Sequence, residues 1–169
     1  LKEKKREGEK ERKRKGEENI LPSIRDFVVV RDSPIHGRGV FARQPIPKGT
    51  RIIEYAGVRI PVADLARDLV SGRTSGRYVL SWDQTTAIDG EREGNAARFI
   101  NHGCAPNCEI MYFPDAPYVY AIMTIQEDDE LLLDYQLGAS DGSHPSAEDA
   151  SWFPCHCGSP KCRGTMLGS

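Results

Sequence analysis

The thiols offer the sharpest chemistry in the sequence. Cys155, Cys157 and Cys162 fall within eight residues on the turn CHCGSPKC, close enough to converge on one point. Tetrahedral zinc takes four sulfur or nitrogen ligands at about 2.0 to 2.3 Å, so one ligand is missing locally. His156 is adjacent, and Cys104 and Cys108 lie in the earlier stretch RFINHGCAPNC, Arg98 to Cys108. Buried free cysteines acting as small hydrophobes are the plain alternative. That alternative suits Cys108 better than three thiols gathered on a polar Gly-Ser-Pro-Lys turn. A closed thiolate site leaves no open position for a substrate, so such a metal would hold shape rather than react.

Three further strings carry polar groups of interest. Gly37-Arg38-Gly39 sits in SPIHGRGVF just before an apolar run. Two glycines allow a tight turn or a close approach of backbone to a ligand, but a dinucleotide fingerprint needs a third glycine and a following helix, and both are absent. Asn101 and His102 follow Phe99 and Ile100 and precede Gly103, a pattern that serves equally for a hydrogen-bonded turn or a site. Glu130, Asp134 and Tyr135 close the string ELLLDY, which alone reads as a strand ending in a satisfied tyrosine.

These groups must be positioned by short elements. Runs of β-branched and aromatic residues at Phe27 to Val30, Val40 to Ala42, Arg51 to Tyr55, Tyr78 to Trp82, Tyr118 to Thr124 and Glu130 to Leu133 predict strands. Pro34, Pro45, Pro47, Gly49, Gly57 and Pro61 punctuate them, which favours small curled sheets over regular alternation with helices. One helix is predicted over Pro61 to Leu69, where Val62, Leu65, Ala66 and Leu69 share a face. Gly138 to Ser151 is small and polar and reads as a linker or loop.

The 169 residues suffice for one domain and a tail. Residues 1 to 19 hold nine Lys/Arg and six Glu with hardly an apolar side chain, leaving the rest at a formal charge of about −5. That stretch reads as a disordered tail or a solvated helix, with Lys10 to Lys15 open to reading as a nuclear-import or nucleic-acid patch. No apolar run approaches the roughly 18 residues of a membrane span. No apolar stretch follows the basic residues, so a secretory signal is not expected. A zinc-knuckle nucleic-acid binder would need a basic face beside aromatic platforms, and the basic residues are concentrated in the tail instead.

Taken in order, Gly37-Arg38-Gly39, Glu54-Tyr55-Ala56-Gly57, Arg98 to Cys108, Glu130 to Tyr135 and the thiol cluster resemble the SET-domain protein lysine methyltransferases with a post-SET zinc cluster. The resemblance covers roughly Asp26 to Leu167. The spacing and the ending CRGTML also look like the small free-standing bacterial-type SET proteins. It implies a mainly β fold of several short curled sheets around a pseudoknot-like C-terminal segment, with few short helices. The division it implies is a charged tail at 1–25, a SET domain at 26–137, a linker at 138–153 and a zinc-binding segment at 154–167.

The resemblance also assigns roles. Gly37, Arg38 and Gly39 look like the turn around the methionine end of S-adenosylmethionine. Asn101 and His102 resemble the pair that contacts its adenine and amino groups, with Arg98 just before them, and Tyr78 is similar to a tyrosine lining the same pocket. Tyr135 looks like the catalytic tyrosine and Tyr55 like a second hydroxyl beside the lysine channel. Cys104, Cys155, Cys157 and Cys162 match the four zinc ligands. Two departures stand out: Gly103 replaces the usual serine, and Leu133 replaces the Phe or Tyr that commonly limits the number of methyls.

The expected activity is S-adenosylmethionine-dependent methylation of lysine in histone or other basic tails. The alternative is an inactive SET-fold module that binds chromatin or a partner. A monomer is expected, without membrane association or direct nucleic-acid binding. Nuclear residence is set against a bacterial cytoplasm or secretion as an effector.

Overall fold

In a computed structural model of the chain, residues 27–138 and 146–168 are described. The charged tail, with its import and nucleic-acid readings, lies outside them, as does part of the expected linker.

Among the described residues, ten short strands, two short α-helices and one 3-10 turn (Ala96–Phe99) carry the fold. Strands β1 (Val28–Asp32) and β2 (Arg38–Ala42) form an antiparallel hairpin, Val30 facing Val40. In a second sheet β9 (Pro117–Ala121) lies between β3 (Arg51–Glu54) and β8 (Cys108–Tyr112). In a third, β6 (Thr86–Asp89) lies between β4 (Val58–Pro61) and β5 (Val79–Ser81). The last pair, β7 (Asn101–His102) and β10 (Leu132–Leu133), is parallel.

The expectation of small sheets with few helices holds. Strands β4, β6, β7 and β8 fall outside the expected runs, because Val58–Pro61, Thr86–Asp89 and Cys108–Tyr112 carry proline, aspartate or charged residues that dilute the β pattern, and Asn101–His102 is a pair of polar residues. The expected helix is α1 (Val62–Val70), with Pro61 as its extended N-cap. Inside the expected linker, Ala147–Trp152 forms a second helix, α2. Ser146 and Asp149 close a reciprocal capping box there, which offsets the weak apolar pattern of that stretch.

The core joins the first two sheets. Val40, Ile46, Ile52, Val119, Ile125 and Leu131 are at most 1% exposed and pack in one cluster with Ile100 and Leu133. Leu131 fixes where the polar residues after it must stand. Its N–H donates to Val40 O at 2.8 Å, tying the 130–135 segment to β2, while β10 begins to pair with β7 at the next residue. The segment bearing Tyr135 thus runs between the glycine turn of β2 and the Asn101-His102 strand. The C-terminal stretch returns to the same place: Leu137 forms a parallel bridge with Leu167, and Pro154 an antiparallel one with Thr165.

Candidate active site and thiol cluster

Asn101 is the centre of the first constellation. Its Nδ2 donates to Glu130 Oε1 at 2.8 Å, to Arg38 O at 3.0 Å and to His36 O at 3.2 Å. Three acceptors around the nitrogen fix which way the amide is turned, because only an NH2 group could face them. The amide oxygen of Asn101 is left without a partner among the described residues, an acceptor available to a ligand.

The two glycines of the turn have separate reasons to be glycine. Gly37 has φ +48° and open space where a side chain would stand, so the turn needs its left-handed freedom. At Gly39 an added Cβ would collide with the Glu130 carboxylate and crowd Ser33 Cβ. The close approach that Gly39 permits is therefore to Glu130 as well as to the pocket. Ser33 completes the frame: its N–H donates to Gly37 O at 2.8 Å and its hydroxyl to Glu130 Oε2 at 2.9 Å.

Tyr135 stands one step away. Its N–H donates to His102 Nδ1 at 3.1 Å, its phenol donates to Ile100 O at 2.7 Å, and its ring centroid is 5.4 Å from that of His102. The ring is 39% exposed, yet the hydroxyl is turned inward. Burial, then the neighbouring Tyr78 and Glu130, push the phenol up to about 12. Tyr55 is 8% exposed and donates to Tyr78 O at 2.9 Å. Its pKa is also raised, first by burial and then by the Tyr135 phenol. Both stay protonated at neutral pH.

Tyr78 and Arg98 form the wall behind Tyr55. Tyr78 meets Phe99 edge to face at 5.8 Å, and the Arg98 guanidinium lies 4.7 Å from the Phe99 centroid while donating to Gly90 O at 3.1 Å. Arg98 Nε is buried without a partner. The Arg38 guanidinium also lies over the Phe99 ring, at 4.7 Å. The candidate residues Gly37, Arg38, Gly39, Tyr55, Tyr78, Arg98, Asn101, His102 and Tyr135 thus surround one region, with Arg98 a prop of its wall.

The sulfur atoms of Cys104, Cys155, Cys157 and Cys162 all lie within 4.8 Å of one another, and Cys104 to Cys155 is 3.7 Å. Four sulfurs at 2.3 Å around a tetrahedral centre stand about 3.8 Å apart, so this set fits a tetrahedral metal ion. Backbone N–H groups of Arg163, Cys157 and Gly164 point at the sulfurs of Cys104, Cys155 and Cys162 at 3.3 to 3.4 Å, as thiolates require. Burial raises the Cys104 and Cys155 thiols, the latter to about 12. At Cys157 the burial penalty is outweighed by N–H donors from Cys104 and Ser159, and the pKa falls to about 7. Cys108 is 1% exposed, remote in role and raised to about 12 by burial, an inert core thiol.

His102 joins the two constellations. Since Nδ1 accepts from Tyr135, the ring proton sits on Nε2, which faces Cys104 Sγ at 3.4 Å. Burial lowers the His102 pKa against the pull of Asp134, keeping the ring neutral. Arg163 adds a second tie, gripping Asp134 with two bonds of 2.7 and 2.8 Å. That grip is the main reason the Asp134 pKa lies below the usual carboxylate value.

Three residues outside the expected site matter to its geometry. Glu130 and Arg163 do so as above, and Asn107 accepts from Leu132 N–H and donates to Glu130 O, both at 2.8 Å, clipping the Tyr135 segment to the strand before it. Each stood inside a noted string; what spacing alone does not reveal is which distant group each one meets. Gly103 has a local explanation: an added Cβ would lie 2.8 Å from Leu132 Cδ1, so Leu132 fills the space a serine would use. Leu133 is 5% exposed and belongs to the core cluster.

Comparison with known proteins agrees with this geometry. The SET domain family model matches residues 37–136. The chain is 34% identical over 151 residues to human "Histone-lysine N-methyltransferase 2B", covering 86% of this chain and 5% of that protein. It is 35% identical over 156 residues to "Histone-lysine N-methyltransferase, H3 lysine-4 specific" of Eremothecium gossypii, covering 88% and 15%. A protein of the same name from Chaetomium globosum is 39% identical over 142 residues, covering 79% and 12%. The chain thus spans a small fraction of the length of the curated relatives it matches, and what it shares with them is the unit built here from its own residues: this chain belongs to the SET domain family.

Proposed function

We propose that the chain is an S-adenosylmethionine-dependent protein lysine N-methyltransferase acting on histone or similar basic tails. The observation that carries this reading is a pair of protonated phenols, Tyr135 and Tyr55, each turned inward onto a backbone carbonyl, together with an Asn101 amide whose nitrogen is held by Glu130 and whose oxygen is open to a ligand.

The residues fit the donor. Its amino-acid end suits the Gly37-Arg38-Gly39 turn and the Asn101 oxygen, with His102, Tyr78 and Arg98 forming the adjoining walls. S-adenosylmethionine supplies a methyl group on a sulfonium, and everything else is the work of the chain. Methyl transfer is an in-line displacement, so the lysine nitrogen has to be held on the axis of the bond that breaks. A lysine of pKa about 10.4 is only about one part in a thousand neutral near pH 7.4, a handicap of roughly 4 kcal/mol. A dry, partly apolar channel favours the neutral amine by desolvation, so no side-chain base is needed. Tyr135 is suited to orient it: the hydroxyl proton is committed to Ile100 O, and the oxygen lone pairs remain to accept from the amine.

The four thiols are best read as a structural zinc site, since soft thiolates in tetrahedral array select zinc and leave no open coordination position. Cys104 follows the active-site strand β7 by two residues and the other three come from the C-terminal segment, so the metal would pin residues 154–167 against His102. We take 26–137 as the catalytic unit, 138–153 as a linker and 154–167 as the zinc segment. The net charge of about −5 outside the first 19 residues favours a basic peptide. The relatives' names speak of histones, which supports chromatin, in the nucleus, as the proposed site of action. No helix among the described residues is long and apolar enough to cross a membrane.

The test is transfer of a labelled methyl group to a histone mixture and a lysine peptide array, with mass spectrometry of the products. Donor-dependent mass gains of one or more methyls on lysine are expected. Firm donor binding with no transfer to any substrate would overturn the enzymatic reading.

A further inference from the structure

Glu130 is half-buried and has no basic partner: among the described residues no ion pair reaches it. Its two oxygens are instead taken by neutral donors, Asn101 Nδ2 at 2.8 Å and Ser33 Oγ at 2.9 Å. Arg38, the nearest cation in sequence to that turn, is spent on the face of Phe99. A half-buried carboxylate with no cation beside it gains no ion-pair stabilisation, and the chain keeps a glycine at position 39 where any side chain would collide with it. A neutral glutamine could make both hydrogen bonds, since the Ser33 hydroxyl can accept as well as donate. Hydrogen bonding alone therefore does not account for a charge here.

We propose that Glu130 is a positioning residue of the donor pocket: its carboxylate turns the Asn101 amide so that oxygen faces the ligand, and supplies the negative charge that selects an ammonium at that oxygen. This rests on the methyl-donor reading above. The carboxylate acts through Asn101 rather than by touching the ligand. By ordinary bond and hydrogen-bond lengths, an ammonium on Asn101 Oδ1 stands roughly 6 to 7 Å from the carboxylate. At an effective dielectric between those of protein and water, that separation is worth about tenfold in affinity.

The probes are S-adenosylhomocysteine and its desamino analogue, which differ only in the ammonium, titrated calorimetrically into the full chain. Glu130→Gln is expected to weaken S-adenosylhomocysteine about tenfold while leaving the desamino analogue and the melting temperature near wild type. Gly39→Ala, which displaces the carboxylate without removing it, should narrow the same preference. Equal loss for both ligands would mark Glu130 as merely structural and overturn the inference. Unchanged affinities in Glu130→Gln would overturn it too. If the wild-type chain binds neither S-adenosylmethionine nor S-adenosylhomocysteine, the donor reading falls and takes the inference with it, a result distinct from the other two. Should Glu130→Gln fail to fold, the ratio of the two affinities in Gly39→Ala decides: an unaltered ratio refutes the inference.

Discussion

Replacing Tyr135 by phenylalanine removes one oxygen and keeps the ring against His102. The lost atom is the donor of a 2.7 Å hydrogen bond to the carbonyl of Ile100, a residue only 2% exposed. Leaving such a carbonyl unsatisfied costs about 1 to 3 kcal/mol, so a modest fall in melting temperature is expected without loss of fold. The kinetic consequence is larger in kind. Without the phenol oxygen nothing on that side fixes the amine, and a loss of orientation of this sort is worth about a hundredfold, or roughly 2.7 kcal/mol of barrier. Donor affinity should stay near wild type, because the Asn101–Glu130–Ser33 frame does not involve the hydroxyl.

The pH profile separates orientation from base catalysis. Burial holds the Tyr135 phenol at about 12, so it does not ionise across pH 7 to 9. The logarithm of kcat/KM should rise with pH at a slope of about one, in step with ionisation of the peptide lysine. The Phe variant should run parallel and lower. The assay is mass-spectrometric turnover at saturating donor across pH 7 to 9, with donor binding measured by calorimetry. Turnover within a few-fold of wild type would refute the assignment of Tyr135, and a changed slope would refute the account of its role.

Three further outcomes are expected. Cys157→Ser should release the metal, raise proteolytic sensitivity after Gly138 and reduce turnover, since His102 holds Tyr135 on one side and meets Cys104 on the other; unchanged zinc by elemental analysis would refute the ligand set. Gly103→Ser should destabilise by about 1 to 3 kcal/mol by overpacking against Leu132, and Leu132→Ala should recover much of it; denaturant unfolding of the single and double variants checks this. Tyr55 has its pKa raised chiefly by burial, so its contribution to stability is intact below pH 10 and falls above it, where the unfolded phenol ionises first. Unfolding free energies between pH 9 and 11 should therefore fall less steeply in Tyr55→Phe than in wild type, and equal slopes would contradict that reading.

Much of the molecule is legible in local pattern. The runs around Val40, Ile52 and Val119 become strands because alternation and β-branching are properties of a few neighbouring residues, and the three thiols on CHCGSPKC gather because a turn brings them together. The strands that escaped, β4, β6, β7 and β8, form against partners. Thr86–Asp89 is a strand because β4 and β5 flank it, and no periodicity of its own announces that. The helix α2 depends on a cap, Ser146 with Asp149, more than on an apolar face.

The site divides along the same line. Residue types and their order point to Asn101, Tyr135 and the four cysteines, but the reasons for the glycines are written elsewhere in the chain. Gly39 is answered by Glu130, which in turn is held by Ser33, 97 positions away. Gly103 is answered by Leu132, and the thiol cluster reaches Tyr135 through the ring of His102 and through the Arg163–Asp134 pair. Those pairs exist because the 130–135 segment runs between β2 and β7, bringing into contact stretches that share no local signal. A change in any one of them is therefore to be read with its distant partner: a serine at position 103 makes sense beside a smaller residue at position 132, and a side chain at position 39 only where the carboxylate at position 130 has gone.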